Sequence, residues 1–241
     1  DKFFNGVINN FVDSYSNGET PLPCVKCNQS VKFSDLLNES KKMGADALVT
    51  GHYAIRKGPL TNASLYKAKD KTKDQSFFLF ATLQDQLNYV RFPLGNYKKS
   101  EIRKLAEEYE LEVSYKPDSQ DICFVTSDSY RDLVKNLNPN VNKKGLIYDI
   151  DKNILGTHDG ISNYTIGQRK GIGISGSKQA LYVIDINKDQ NSITLATKEK
   201  LKKNVINFKS INWLGGNILP KKLNCSAKIR STQEDLPGIL D

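Results

Sequence analysis

The sequence predicts an α/β protein whose second half is rich in β-structure. Three observations carry this. Residues 3–15 repeat apolar side chains at helical spacing. "ADALVT" (45–50) is a short apolar strand that runs straight into "GHYA". After "NLNPNVNKKG" (136–145) the pattern changes to short alternating runs split by turn residues.

Taken in order, Phe3, Phe4, Val7, Ile8, Phe11, Val12 and Tyr15 form the apolar stripe of a first helix, which "NGET" then breaks. "FSDLLNESKKMG" predicts a second helix, with Ser34 as its N-cap and Gly44 just past its end. The strand "ADALVT" follows. A helix, a buried strand and then Gly-His at the strand end is the order of an α/β domain, in which ligands sit at the carboxyl ends of strands. "TLQDQLNYV", "SEIRKLAEEYEL" and "SDSYRDLVKNL" are further helices, with Thr82, Ser100 and Ser127 as caps. "GLIYDI", "ILGTH", "LYVIDI" and "SITLAT" then read as β-hairpin strands, continued by "VINFKSINWL" and "CSAKIRST". The expected divisions are an α/β domain over 1–131, a β-rich domain over 132–203 and the start of a further β-domain over 204–241. No internal repeat is found.

Composition narrows the class. With 38% hydrophobic and 26% charged residues, the chain reads as globular rather than disordered. No apolar run approaches the roughly 18 residues of a membrane span. The first fifteen residues lack a basic start followed by an apolar stretch, so no signal peptide is read and a cytoplasmic protein is expected. Four cysteines in 241 residues are too sparse for a disulfide-stapled secreted domain. They fit a reducing compartment, where a cysteine cluster is catalytic or metal-binding. Thirty-five Lys and Arg against 27 Asp and Glu leave a net charge of +8, which suits a polyanionic partner, most simply nucleic acid, or a lysine-rich surface kept for solubility.

Cys24 and Cys27 form a CxxC in "PLPCVKCNQSVKF". One such knuckle is common in zinc sites, but a closed site needs a second pair, and Cys123 and Cys225 stand alone. His52 and His158 do not form a ligand-like pair. The other reading is reactive thiols. Cys27 precedes Asn28 near Lys26 and Lys32, and Cys123 sits in "KPDSQDICFV", read as a loop between strand and helix. Thiolates form where cations or helix N-termini stabilise them. Two such loops at the rim of one α/β sheet could meet. Between Ile122 and Phe124, Cys123 also fits a small buried hydrophobe, and Cys225 is read as one. "YTIGQRKGIGISG" (164–176) carries four glycines with Arg169 and Lys170. β-type sequence follows it, so it is not a dinucleotide fingerprint. It reads either as a loop able to approach an RNA backbone or as a long hairpin connection. Lys71, Lys73, Asp74 and Gln75 form a polar tip before "SFFLF", with the look of a solvated turn.

Seven collinear stretches together resemble the bacterial tRNA-specific 2-thiouridylase (tRNA-uridine 2-sulfurtransferase) family: "TPLPCVKCNQSVKF", "GADALVTGHYA", "KDQSFFLF", "FPLGNYKKSEIRKLAEE", "DSQDICF", "GTHDGISNYTIGQRKGIGI" and "KIRSTQEDLPG". The resemblance implies an adenine-nucleotide α-hydrolase-like (ATP pyrophosphatase) domain, then a central β-rich tRNA-binding domain, then the start of a C-terminal β-barrel. It implies that ATP, with Mg, adenylates the C2 oxygen of the wobble uridine, and that a persulfide sulfur delivered by a donor protein replaces it. On this resemblance Cys27 matches the nucleophile and Cys123 the persulfide carrier, and the two can form a disulfide during turnover. Gly51 matches an ATP contact. His52, the triplet Lys73, Asp74 and Gln75, and the pair Arg230 and Ser231 match tRNA contacts, and Leu22, Pro23 and Cys24 match the segment beside the target base. Arg169 and Lys170 are read as further tRNA cations. The sequence departs from the family at Leu22, where Asn is usual, and at Cys24, where some members carry Asp. The family's SGGxDSS loop is expected upstream of Asp1, and the last barrel is expected to continue past Asp241. No tightly bound metal is expected. The rival reading is a non-catalytic RNA-binding module with a structural zinc knuckle.

Overall fold

A computed structural model describes residues 2–116, 122–125, 129–177, 179–216 and 218–241. The chain divides into two compact units. One comprises Asp1–Pro23 and Ser119–Lys209, the other Cys24–Asp118 and Ser210–Asp241. Among the described residues no helix is long and apolar enough to cross a membrane.

In the first unit a π-type stretch, Phe4–Ile8, runs directly into helix α1, Asn9–Ser16. Val7, Phe11 and Tyr15 recur every four residues, so they share one buried face with Val12. Gly18, at φ 74°, ends the helix: its N–H bonds Tyr15 O and the Glu19 N–H bonds Ser14 O, at 3.0 and 2.9 Å, the paired bonds of a left-handed helix stop. A Cβ at Gly18 would lie 2.5 Å from Ile186 Cγ2, so packing as well as φ requires glycine. Helix α6, Tyr130–Leu137, is capped by Ser129, whose Oγ accepts the Arg131 N–H. The expected cap Ser127 lies outside the described residues. Phe11, Val12, Tyr15 and Val134 form a small core between the two helices.

The β-part of this unit is one four-stranded sheet of β5 (Gly145–Tyr148), β6 (Ile154–His158), β7 (Tyr182–Asn187) and β8 (Ser192–Ala196), in the order β6-β5-β8-β7. The two hairpins expected from the alternating runs are both present, joined by parallel pairing of β5 with β8. β8 is buried at every position, which places it between covered faces. Ile147, Val183, Ile193 and Leu195 form the core with Ile161, Tyr164 and Ile172.

In the second unit α2 (Pro23–Lys26) continues without a break through a π-type stretch, Cys27–Leu36, into α3 (Leu37–Lys42). Ser34 is therefore inside this helical run and does not cap it. Proline at the first position, with φ already fixed, starts the helix twelve residues earlier than the apolar pattern predicts. Strand β1 (Leu48–Val49) pairs in parallel with β4 (Val90–Arg91), the α/β signature in this unit. Strands β2 (Ala54–Lys57) and β3 (Ser64–Lys67) form an antiparallel hairpin that the sequence reading missed. Helices α4 (Gln84–Tyr89) and α5 (Lys99–Glu108) start after Leu83 and Lys98 rather than at Thr82 and Ser100. Their caps work in reverse: the side chains of Gln86 and Glu101 reach back to accept the Leu83 and Lys98 N–H groups. β9 (Leu223–Ala227) and β10 (Leu236–Leu240) pair antiparallel, and a Lys67–Asp235 ion pair ties the β9–β10 connection to β3. "VINFKSINWL" (205–214) forms no strand. Its alternation found no neighbouring strand to pair with, and Asn212 instead donates to Phe80 O and Thr82 O at 2.8 and 2.7 Å. Phe33, Leu37, Ala54, Leu79, Leu87, Val90 and Phe92 fill the core.

Gly95, beside β2, has no room for a side chain. A Cβ there would fall 1.8 Å from Ala54 O, a main-chain atom that cannot swing away. Gly95→Ala is expected to cost about 2 kcal/mol or more, and to lower the melting temperature by roughly 5 °C or more. An unchanged melting curve would show that β2 is not held as tightly as described.

Candidate functional site

The second unit gathers residues from three separated stretches. Cys24 is exposed in the first turn of the helix that Pro23 begins, and Cys27 is half-buried one turn later. Asn28 follows on the buried side, only 3% exposed, and its Nδ2 donates to the Phe78 carbonyl at 3.1 Å. Phe78 belongs to a short 3-10 turn, Ser76–Leu79, that starts directly after Lys73–Asp74–Gln75. Gln75 in turn embraces Tyr53: its Oε1 accepts the Tyr53 N–H at 2.9 Å and its own N–H donates to Tyr53 O at 2.8 Å. Tyr53 is next to Gly51 and His52. Two side chains, Asn28 and Gln75, thus join the cysteine helix, the Lys-Asp-Gln tip and the Gly-His strand end.

Asp74 and Gln75 are therefore not solvated turn residues. Asp74 accepts the Ala68 N–H at 2.8 Å and the Ser76 hydroxyl, also at 2.8 Å, which fixes both ends of the tip. Lys73 is half-buried in the same tip. His52 is enclosed by Phe33 and Phe92, with ring centroids 6.0 and 5.9 Å away, and its Nδ1 lies 2.8 Å from Thr50 Oγ1. Burial, with the nearby Lys32 charge adding to it, lowers its pKa from 6.5 to about 4. The imidazole is neutral at physiological pH and acts as a hydrogen-bonding ring rather than a cation. Gly51 is exposed, and a Cβ there would meet only Leu94 Cδ1 at 3.7 Å, so the fold leaves its face open. Arg230 and Ser231 lie exposed in the connection between β9 and β10.

The first unit carries the other predicted residues. Leu22 is exposed before the buried Pro23. Cys123 is exposed on a turn whose neighbours are not: the Phe124 ring stands edge-on to Phe11 and Phe3 at centroid distances of 5.4 and 5.9 Å, and Ile122 packs on the same core. The buried-hydrophobe reading fits Phe124 and fails for the thiol itself. Arg169 and Lys170 are exposed where a glycine-rich loop begins. Gln168 clamps that point by accepting the Thr165 N–H and donating to Lys170 O, at 3.1 and 3.0 Å. Buried Ile172 pins the loop to the sheet, and the loop lines a recess of about 280 Å³. His158 is no ligand: its Nδ1 accepts the Gly160 N–H at 3.0 Å and its Nε2 faces Asn191 O at 3.2 Å.

Among the described residues no three His, Cys, Asp or Glu side chains converge as a metal site, so the CxxC finds no further ligands there. Sequence reading missed Asn28, Thr50 and Phe124. Asn28 had a signal. With the helix extended back to Pro23, Val25, Asn28, Phe33 and Leu37 fall on one buried stripe, and Asn28 is its one polar member.

The lowered His52 pKa has a consequence for stability. The unfolded imidazole takes up a proton near pH 6.5, whereas the folded one does so only near pH 4. Stability from this group is complete above 6.5 and falls as the pH drops from there toward 4, by up to about 2 kcal/mol at pH 5. His158, also lowered by burial, adds in the same direction. The His52 ring signal in an NMR titration should stay in its neutral form down to pH 5.5, and His52→Gln should flatten the fall in urea midpoint between pH 7 and 5. A ring titrating at 6.5 would contradict the enclosed site.

Residues 1–127 match the family model described as the tRNA methyl transferase HUP domain, and residues 132–197 the tRNA methyl transferase PRC-barrel domain. The chain is 54% identical over 233 residues to the "tRNA-specific 2-thiouridylase MnmA" of Orientia tsutsugamushi, covering 96% of this chain and 63% of that protein. It is 51% identical over 239 residues to the protein of the same name from Ehrlichia ruminantium, covering 99% and 64%, and 49% identical over 233 residues to that of Rickettsia bellii, covering 96% and 63%. The chain thus spans just under two thirds of the length of these relatives. With both domains matched in order, and with relatives this similar along nearly all of it, the chain belongs to the tRNA-specific 2-thiouridylase family.

Proposed function

We propose that the protein acts in tRNA 2-thiolation, transferring a persulfide sulfur to C2 of the wobble uridine. The observation that carries this is the 54% identity over 96% of the chain to a protein of that name. The cysteines favour sulfur chemistry over the methyl transfer named in the family models. One thiol is held in a helix and the other stands exposed on a pinned turn, whereas methyl transfer requires no second thiol.

Uracil oxygen is a very poor leaving group, and the chemistry ATP supplies, with Mg, is its conversion to an adenylate that departs as AMP. Gly51, whose open face admits close backbone approach, fits an ATP contact. The terminal sulfur of a Cys123 persulfide forms the bond to C2 as the bond to AMP breaks. Cys27 as thiolate then attacks Cys123 Sγ. The sulfur–sulfur bond breaks with its electron pair passing to the sulfur on C2, leaving 2-thiouridine and a Cys27–Cys123 disulfide that an external dithiol reopens. The two thiols belong to different compact units, so the reading requires them to come within about 7 Å, Cα to Cα, during turnover. The exposed Cys123 is where a persulfide-carrying donor protein loads sulfur.

Leu22, Pro23 and Cys24 lie beside the target base in this reading, and His52 meets it as a neutral ring. The base leaves the anticodon stack to reach them. Lys73, Arg169, Lys170, Arg230 and Ser231 hold the tRNA backbone. Asp74 and Gln75, whose side chains are engaged within the chain, serve by shaping the tip. The domain divisions near residues 131 and 203, a last barrel completed beyond Asp241 and a phosphate-binding loop preceding Asp1 belong to the same proposal.

In the complete enzyme, Cys123→Ser is expected to abolish 2-thiouridine formation while tRNA-dependent pyrophosphate release persists in a single turnover. Wild-type levels of thiolation in that variant would end the carrier assignment. The basic residues are tested separately. Arg169→Ala and Arg230→Ala should each weaken binding of all tRNAs alike and reduce the slope of log affinity against log salt by up to about one. If both slopes and affinities match wild type, the positive charge of this chain serves something other than tRNA.

A further inference from the structure

Asn28 has no assigned role, yet its geometry is unusual. Its carboxamide is buried immediately after Cys27. The orientation of the amide follows from its partner, because a carbonyl such as Phe78 O can receive only the NH₂ end. Oδ1 must then point the other way, and there it is a buried acceptor with no hydrogen-bond partner among the described residues. An apolar side chain of the same size would fill this place without stranding an acceptor. What asparagine adds is one directed bond from the turn bearing Cys27 to the 3-10 turn Ser76–Leu79, which Gln75 anchors to Tyr53.

We propose that Asn28 is a positioning residue for the Cys27 thiol: its bond to the Phe78 carbonyl fixes the helical turn that presents Cys27. This rests on the reading of Cys27 as the nucleophile. The stretch Cys27–Leu36 has the wider π-type hydrogen bonding, a form that in proteins occurs mostly as single turns and frequently at functional sites. A tertiary bond one residue after the thiol adds a constraint on this turn. The effect of removing it is specific. Asn28→Leu leaves Phe78 O without this donor but also removes the stranded Oδ1, two opposed changes, so the fold should be little altered. Asn28→Asp keeps the shape but sets a carboxylate against a carbonyl oxygen and must turn the side chain away.

The test uses the complete enzyme with three readouts. For Asn28→Leu the melting temperature should move by less than about 3 °C and KM for tRNA by less than about threefold, while kcat for thiolation falls at least about tenfold. In a background with Cys24, Cys123 and Cys225 replaced by Ser, iodoacetamide alkylation of Cys27 should become at least about threefold faster, because the half-buried thiol is no longer held. Asn28→Asp should likewise lower kcat and speed alkylation, but with a larger loss of melting temperature, because it strands a carboxylate in a buried place. An unchanged kcat in a folded Asn28→Leu enzyme overturns the proposal, as does a fall in kcat with unchanged alkylation or with a matching loss of melting temperature. The two readings fail separately. Full thiolation by Cys27→Ser would remove the nucleophile assignment, whereas the alkylation rates report on the Asn28 constraint whether or not Cys27 is the nucleophile.

Discussion

The paired hydrogen bonds between Gln75 and the main chain of Tyr53 are the constraint on which the rest of the site depends. They join stretches more than twenty residues apart, and everything of interest in the second unit hangs from one side or the other. On the Tyr53 side are Gly51, His52 and strand β2. On the Gln75 side are the Lys73–Asp74 tip and the 3-10 turn that receives Asn28. Amide–amide bonds inside a packed interior are stronger than at the surface, and leaving either partner unmet costs about 1–3 kcal/mol. Glutamine suits this place because one carboxamide arm and its own backbone N–H can satisfy both polar groups of a buried residue at once.

Enclosure then sets the electrostatics. His52 sits between two phenylalanines, with a lysine near enough to oppose a positive charge. A cation at that point would bind any phosphate. A neutral ring, anchored to Thr50, offers only directed hydrogen bonds instead. The exposed cations Arg169, Lys170 and Arg230 stand on turns and loops, where water screens them and their contribution to folding is small. On the proposed function, affinity for the polyanion and recognition of the base fall to different residues, one set on the surface and one enclosed, in line with the division between backbone and base contacts.

Much of this was legible in the sequence, and the failures have physical causes. The apolar period of residues 7–15 gave helix α1, and the alternation after residue 145 gave both hairpins of the four-stranded sheet, because each pattern is enforced by a buried face. The start of the cysteine helix was misplaced because Cys, Val, Asn and Ser are indifferent helix formers and only tertiary burial of Val25 and Phe33 holds them there. The same error put Cys27 in a loop. Residues 205–214 alternate as a strand would, but strand formation needs a partner edge, and none is recorded in the sequence itself. The candidate residues were found by motif, whereas what holds them (Asn28, Thr50, Phe124 and the side-chain bonds of Asp74 and Gln75) became visible only with coordinates, since such bonds span up to fifty residues.

The two thiols are held in different ways, and the difference fits the sulfur transfer proposed for them. Cys123 stands out from an aromatic cluster in which Phe124 is gripped edge-on by two other rings, so the turn is fixed while the sulfur is bare. A sulfur carrier needs that combination: a persulfide must be loaded from another protein, which requires exposure, and must then attack one carbon, which requires a fixed base. Cys27 is half-buried and constrained from its neighbour through Asn28. A thiol whose task is to open a disulfide-like bond must approach along the axis of that bond, and partial burial protects it from oxidation between turnovers. On the proposed function, exchanging the two settings would expose the resolving thiol and shield the carrier, and sulfur transfer would lose both its entry and its exit.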